Sequence, residues 1–133
     1  MTDSNVAYLD SSAIVKLAKD EEESTALRAY VASNPRFASS DIAIVEVLRA
    51  ALRQGPDVEL KVREVFRRMR FIAIDRELLE NAATLEPDTL RSLDAIHLAS
   101  ALRLGSELGD VVTYDVRMGE AARAMGLDAV APR

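Results

Sequence analysis

The residues in this chain best equipped for chemistry are carboxylates. Asp10 follows the apolar run "VAYL", Glu46 sits within "IVEVLRA", Asp94 opens "SLDAIHLASAL", and Asp115 closes "VVTYD". There is no cysteine and only one histidine, His97. Thiolate chemistry, disulfides and a histidine-rich metal centre are thereby excluded, so any metal must be held through oxygen. All-oxygen sites select hard ions, Mg²⁺ or Mn²⁺, and a bound divalent ion draws phosphates to a surface that would otherwise repel them. Two carboxylates about 5 Å apart repel by roughly 3 kcal/mol at an effective dielectric of 20. Acids gathered in one crevice must therefore share protons or bind cations.

Taken singly, each residue has a plainer explanation. Asp10 and Asp115 both immediately precede helical patterns, where aspartate is a favoured N-cap. Glu46 has Arg49 one turn further on, an exposed pair worth about 0.2–0.5 kcal/mol. Asp94 is harder to dismiss, because Ser92 is expected to be the cap, leaving the aspartate inside the first turn among Leu93, Ala95, Ile96 and Leu98. His97, three residues beyond Asp94, reads as a satisfied core histidine. Thr113 shares a strand face with Asp115, so its hydroxyl can support whatever the carboxylate holds. Asp75, ending "FIAID", reads as the cap of the next helix.

The elements that must position these residues alternate along the chain. "VAYL" reads as a strand, "SSAIVKLA" as a helix with serines at its cap, and "KDEEES" as a helix start with Asp20 and Glu23 spaced for a capping box. After the Asn-Pro breaker, "RFAS" is expected to be a second strand and "SDIAIVEVLRAAL" a helix ending near "QGP". The next helix takes its apolar stripe from Val62, Val65, Phe66 and Met69, which leaves the basic residues of Lys61 to Arg70 as its solvated face. "FIAI", "VVTY" and "DAVA" supply three more strands, with helices between them. Such alternation predicts a three-layer α/β/α fold, a five-stranded parallel sheet covered by helices on both faces, and the order 3-2-1-4-5 is the frame in which its strand ends are placed here. The functional crevice then lies beyond the carboxyl ends of the strands, where the strand order reverses. Asp10 and Asp115 end the two strands that are neighbours there.

Composition bounds the rest. The 133 residues fit one domain spanning 1–133, and 49% hydrophobic with 29% charged residues is a globular balance. The net charge of −5 argues against broad electrostatic binding of nucleic acid, though not against a metal-bridged phosphate or a basic partner. No basic segment precedes an apolar run at the N-terminus, and no apolar stretch approaches the roughly 20 residues of a membrane span, so a cytoplasmic location is expected.

Together, "YLDSSAIVKL", "IVEVLRA", "LDAIHLASAL" and "VVTYDVRMGEAARAMGLDAVAP" resemble the PIN-domain nucleases, specifically the VapC-type toxins of toxin–antitoxin pairs, from near Val6 to Pro132. The resemblance implies a metal-dependent endoribonuclease whose acidic quartet falls on Asp10, Glu46, Asp94 and Asp115, with Thr113 in the family's small-hydroxyl position. It implies Asp10 and Asp94 as main ligands of Mg²⁺ or Mn²⁺, Asp115 as a direct or water-mediated ligand, and Glu46 as a further ligand or water orienter. Ser11 and Thr113 would steady those groups or touch phosphate. A homodimer acting on RNA, and a cognate antitoxin that inserts a segment into the crevice, are also implied. Two other readings compete. A receiver-like signalling module would use Asp75, but it needs an acid pair after strand one and a lysine at strand five, and "YLDSS" and "VAPR" provide neither. A PIN fold without catalysis, serving only to bind, is the other.

Overall fold

The computed structural model describes residues 6–34 and 36–133. The N-terminal residues read as lacking a leader, and the proline of the Asn-Pro breaker, lie outside them. Strands β1 (Val6–Leu9), β2 (Phe37–Ser40), β3 (Arg70–Ile72), β4 (Leu108–Val112) and β5 (Asp128–Val130) form one sheet in the order β3-β2-β1-β4-β5. Every pairing is parallel, with Tyr8 opposite both Ala38 and Val111. This is the order expected from the sequence. It also separates the molecule from receiver modules, whose sheets run 2-1-3-4-5.

Strand β1 is buried along its whole length, as befits a central parallel strand covered on both faces. Its side chains alternate: Val6 and Tyr8 pack with helices α5 (Arg76–Ala83), α6 (Ser92–Leu102) and α7 (Val116–Ala124). Ala7 and Leu9 pack with α1 (Ser11–Ala18), α2 (Ser24–Ser33), α3 (Ile42–Leu52) and α4 (Pro56–Arg67). The sheet is therefore the middle of three layers. Val62 is the buried centre of α4, and the basic residues of that helix face solvent as expected. Gly55, at φ +103, makes the sharp turn between α3 and α4 that a side chain would strain.

Several boundaries and caps differ from the sequence reading. Of the two caps the sequence offered helix α1, Asp10 is the one used, its carboxylate accepting from the Ala13 N–H, and the serines fall inside the first turn. The capping box of Asp20 and Glu23 does not form: α2 starts at Ser24, whose hydroxyl accepts from the Glu21 N–H and donates to the Lys19 carbonyl. Ser92 does not cap α6. The cap position is Arg91, with no side-chain hydrogen bond to the helix end. Strand β4 runs from Leu108 to Val112, starting ahead of the apolar "VVTY" and ending before its last two residues, since Leu108 pairs with Val6 of β1 and Asp110 within it accepts from the Tyr30 hydroxyl at 2.6 Å.

Asp75 behaves as the cap it was expected to be, accepting from the Leu78 N–H at 2.9 Å and from Arg103 at 2.6 Å. Asp75→Ala is expected to lower stability and Asp75→Asn to lower it by less, since asparagine also caps. Urea unfolding of the three proteins checks this, and equal losses in both variants would contradict a capping role.

Candidate active site

Asp10 lies just past β1 with an extended backbone, and is only 5% exposed. Three donors meet its carboxylate. The Ser12 hydroxyl and the Ala13 N–H give 2.7 and 3.0 Å bonds to Oδ1, and the Thr113 hydroxyl gives a 2.6 Å bond to Oδ2. The N-terminus of α1 contributes the backbone donor, and β4, which pairs with β1, delivers the threonine. Burial pushes the Asp10 carboxyl above its ordinary range, while the bonds from Thr113, Ser12 and Ala13 oppose that rise. Thr113 thus supports Asp10, and its oxygen also accepts from the Asp115 N–H at 3.1 Å.

Asp115 caps α7 through Oδ1, which accepts from the Met118 N–H at 3.0 Å. Its other oxygen receives Arg91 Nη2 at 2.6 Å, and Arg91 Nε donates to Asp94 Oδ2 at 3.0 Å. One guanidinium therefore bridges two of the expected acids. Asp94 is partly exposed, short of the burial that its apolar neighbours suggested, because α6 starts at the rim with Arg91 in the preceding cap position.

Glu46 makes no ion pair with Arg49. It turns inward from α3, where its Oε1 accepts from the Ser11 hydroxyl at 2.5 Å and meets His97 Nε2 at 2.9 Å. Burial raises the Glu46 carboxyl, but the bonds from His97 and Ser11, with the charge His97 can carry, outweigh it and hold the group below the ordinary glutamate range. His97 is 2% exposed, and its Nδ1 meets the Tyr8 hydroxyl at 2.7 Å. The imidazole is satisfied in the core, as the sequence suggested, and it also joins that core to one of the acids.

Asp10, Asp94 and Asp115 are thus linked through Thr113 and Arg91, while Glu46 and Ser11 sit beside them with His97. Among the described residues, no three His, Asp or Glu side chains are close enough to share one ion. The donor chemistry nevertheless suits a hard divalent cation, since carboxylates and hydroxyls predominate and two of the acids already share the positive charge of Arg91. A cleft of about 770 Å³ opens beside Asp94, lined in part by Arg91, Arg117, Leu90 and Ala121. Arg91, Ser12 and the link from His97 to Glu46 were not seen in the sequence. Arg91 had a signal, standing three residues before Asp94 in "RSLD", whereas the partners of His97 lie far away in sequence.

A three-layer parallel fold with supported acids beyond the ends of β1 and β4 defines a class of α/β protein with an acidic strand-end site. The PIN domain model matches residues 7–124, and the chain belongs to the PIN domain family. Ribonuclease VapC46 of Mycobacterium tuberculosis is 46% identical over 125 residues, covering 94% of this chain and 96% of the relative. Ribonuclease VapC35 of the same species is 41% identical over 129 residues, with the same coverage. Among solved structures, the sarcin-ricin loop cleaving toxin VapC20 of M. tuberculosis superposes with a TM-score of 0.75 at 17% identity, covering 95% of this chain and 99% of that one. A toxin–antitoxin complex from Klebsiella pneumoniae gives a TM-score of 0.73 at 23% identity, covering 96% and 98%.

The raised Asp10 carboxyl carries a stability consequence of definite sign. The native state binds that proton more tightly than the unfolded chain, so stability falls as pH climbs from 3.8 through the native value, and the loss persists at neutral pH. Asp10→Asn is expected to be more stable than the parent at neutral pH, with the advantage disappearing below pH 3.8. Urea unfolding at the two pH values measures this, and a parent more stable at neutral pH would contradict it.

Proposed function

We propose that this protein is a metal-dependent endoribonuclease of the VapC kind, the toxin of a toxin–antitoxin pair, with residues 1–133 as one catalytic domain. The observation that carries this reading is the buried Asp10 carboxylate, held by three donors at the end of β1 beside the Thr113–Asp115 turn. A protein gains nothing in stability by burying a carboxylate there, so its upkeep by dedicated donors points to use. Membership of the PIN family and the ribonuclease relatives support the choice of reaction.

In this reading Asp10, Asp94 and Asp115 would hold Mg²⁺ or Mn²⁺ once Arg91 leaves the two acids it bridges and the three carboxylates draw together, since as they stand no three of the described acids can share one ion. When bound, the ion supplies an activated water and charge stabilisation at the phosphodiester. Thr113 and Ser12 hold the Asp10 carboxylate in one orientation at the end of β1. Ser11 orients Glu46, which directs the attacking water. Arg91 and Arg117 offer positive charge to the RNA backbone along the cleft beside Asp94, on a chain whose net charge is otherwise −5.

The remaining parts of the reading are a homodimer, a cognate antitoxin and a cytoplasmic setting. None of the described helices is long and apolar enough to cross a membrane. The acidic site suits an antitoxin segment carrying a basic residue, which would compete for the same carboxylates.

Purified protein is expected to cleave RNA with Mg²⁺ or Mn²⁺ present and to stop in excess chelator; cleavage that persists in chelator, from a preparation free of contaminating nuclease, would overturn metal dependence. Asp94→Asn should lose most cleavage and weaken Mn²⁺ binding in calorimetry while folding as well as the parent. Near-parental values of both would refute Asp94 as a ligand. Expression should arrest growth unless a small partner is co-expressed, and harmless expression would count against the toxin role.

A further inference from the structure

We propose that His97 is a positioning residue, and that a Tyr8–His97 pair buried beneath the site clamps one oxygen of Glu46 and leaves the other free for the reaction. The proposal rests on the ribonuclease reading and assigns a role in it to two residues of the core.

Four elements meet in this clamp. Tyr8 comes from β1, Ser11 from α1, Glu46 from α3 and His97 from α6. Tyr8 is fully buried and stands edge-on to the imidazole, with ring centroids 5.9 Å apart. Its hydroxyl lies 2.7 Å from Nδ1, and Nε2 lies 2.9 Å from Glu46 Oε1. A carboxylate only accepts and the Ser11 hydroxyl, 3.2 Å from Nε2, already donates to Glu46, so the ring presents Nε2–H to Glu46 with the Ser11 oxygen as a second, longer acceptor; the opposite neutral tautomer would aim a lone pair at an anion. With the neutral ring, Nδ1 accepts from the Tyr8 O–H. With the charged ring, Nδ1–H donates to the tyrosine oxygen. Both states keep an N–H on Glu46, so the clamp holds whichever is populated.

The bonds from His97 and from Ser11 both fall on Oε1. Oε2 takes part in neither, and the Glu46 side chain keeps 24% of its surface exposed. Such an arrangement fixes the carboxylate's direction while leaving one oxygen for water or a metal. An i+3 ion pair with Arg49 would have drawn the same side chain outward along the helix. A buried histidine with a tyrosine behind it costs more to build than an apolar pair, and the direction it imposes on Glu46 accounts for that cost.

Side-chain length supplies the test. Glutamine at position 97 places an amide N–H near the position of Nε2, whereas asparagine reaches only as far as Nδ1. His97→Gln, His97→Asn and Tyr8→Phe are compared with the parent for single-turnover cleavage of a fluorescent random-sequence RNA pool with Mn²⁺ supplied. Thermal unfolding and the ¹³C titration of the Glu46 carboxyl are measured on the same proteins without metal. His97→Asn is expected to lose about 10–100-fold in maximal rate with little change in half-saturation, the usual effect of removing a group that orients a ligand. His97→Gln should retain most of the rate, and Tyr8→Phe should fall between them. The Glu46 titration should move upward in His97→Asn and stay near the parent in His97→Gln.

Parental rates in all folded variants, or equal losses in Gln and Asn with an unmoved Glu46 titration, would overturn the clamp. If the parent cleaves no RNA, the ribonuclease reading falls, and the Glu46 titration then decides the clamp by itself. If His97→Asn does not fold, the decision passes to His97→Gln and Tyr8→Phe: an unmoved titration in Tyr8→Phe together with a parental rate rejects the role of the tyrosine.

Discussion

Burial of one carboxylate, that of Asp10, organises the site around it. An ionised acid in a nearly closed position is costly unless hydrogen bonds replace the water it loses. Here the replacements come from three places: the first turn of α1, the Ser12 hydroxyl and the Thr113 hydroxyl. Hydrogen bonds to a charged group contribute about 1.5–3 kcal/mol each. They offset part of the desolvation, since the Asp10 carboxyl still stays above its ordinary range. The remainder is stored at the site as a demand for positive charge.

That demand is met unevenly among the acids. Asp94 and Asp115 share the guanidinium of Arg91, which is largely exposed, so the pairing is weakened by solvent and open to exchange. Glu46 is held from within the core by His97, which is buried and backed by Tyr8. The site therefore combines a fixed half with an adjustable half. Such a division keeps one carboxylate in a constant direction while leaving the charge on two others open to exchange.

The sheet explains why these residues can meet at all. Parallel strands point their carboxyl ends the same way, so β1 and β4, as neighbours, set Asp10 and the Thr113–Asp115 turn side by side. The helices that follow begin at that same end and present their N–H groups to the acids. Alternation along β1 sends Tyr8 to the side of α6 and Leu9 to the side of α1 and α3. The tyrosine behind His97 is thus a consequence of strand pleating as much as of the candidate site.

The three layers and the acids at strand ends were legible in the sequence, because they follow from local periodicity and from the rules of parallel connections, whereas the strand order 3-2-1-4-5 came with the resemblance. Asp10, Asp75 and Asp115 as caps were legible for the same reason, each sitting immediately before a helical pattern. Ser92 was mistaken for a cap and Asp20 with Glu23 for a capping box, since capping depends on the backbone angles at the helix start, which residue types alone do not set. The direction of Glu46 was decided only by tertiary structure. Its sequence neighbour Arg49 and its spatial neighbour His97 compete for one side chain, and the residues that settle the matter lie 35 and 51 positions away. Short-range pattern names the groups that can ionise, whereas their partners, and hence their charge and aim, come from packing between helices that the sheet brings together.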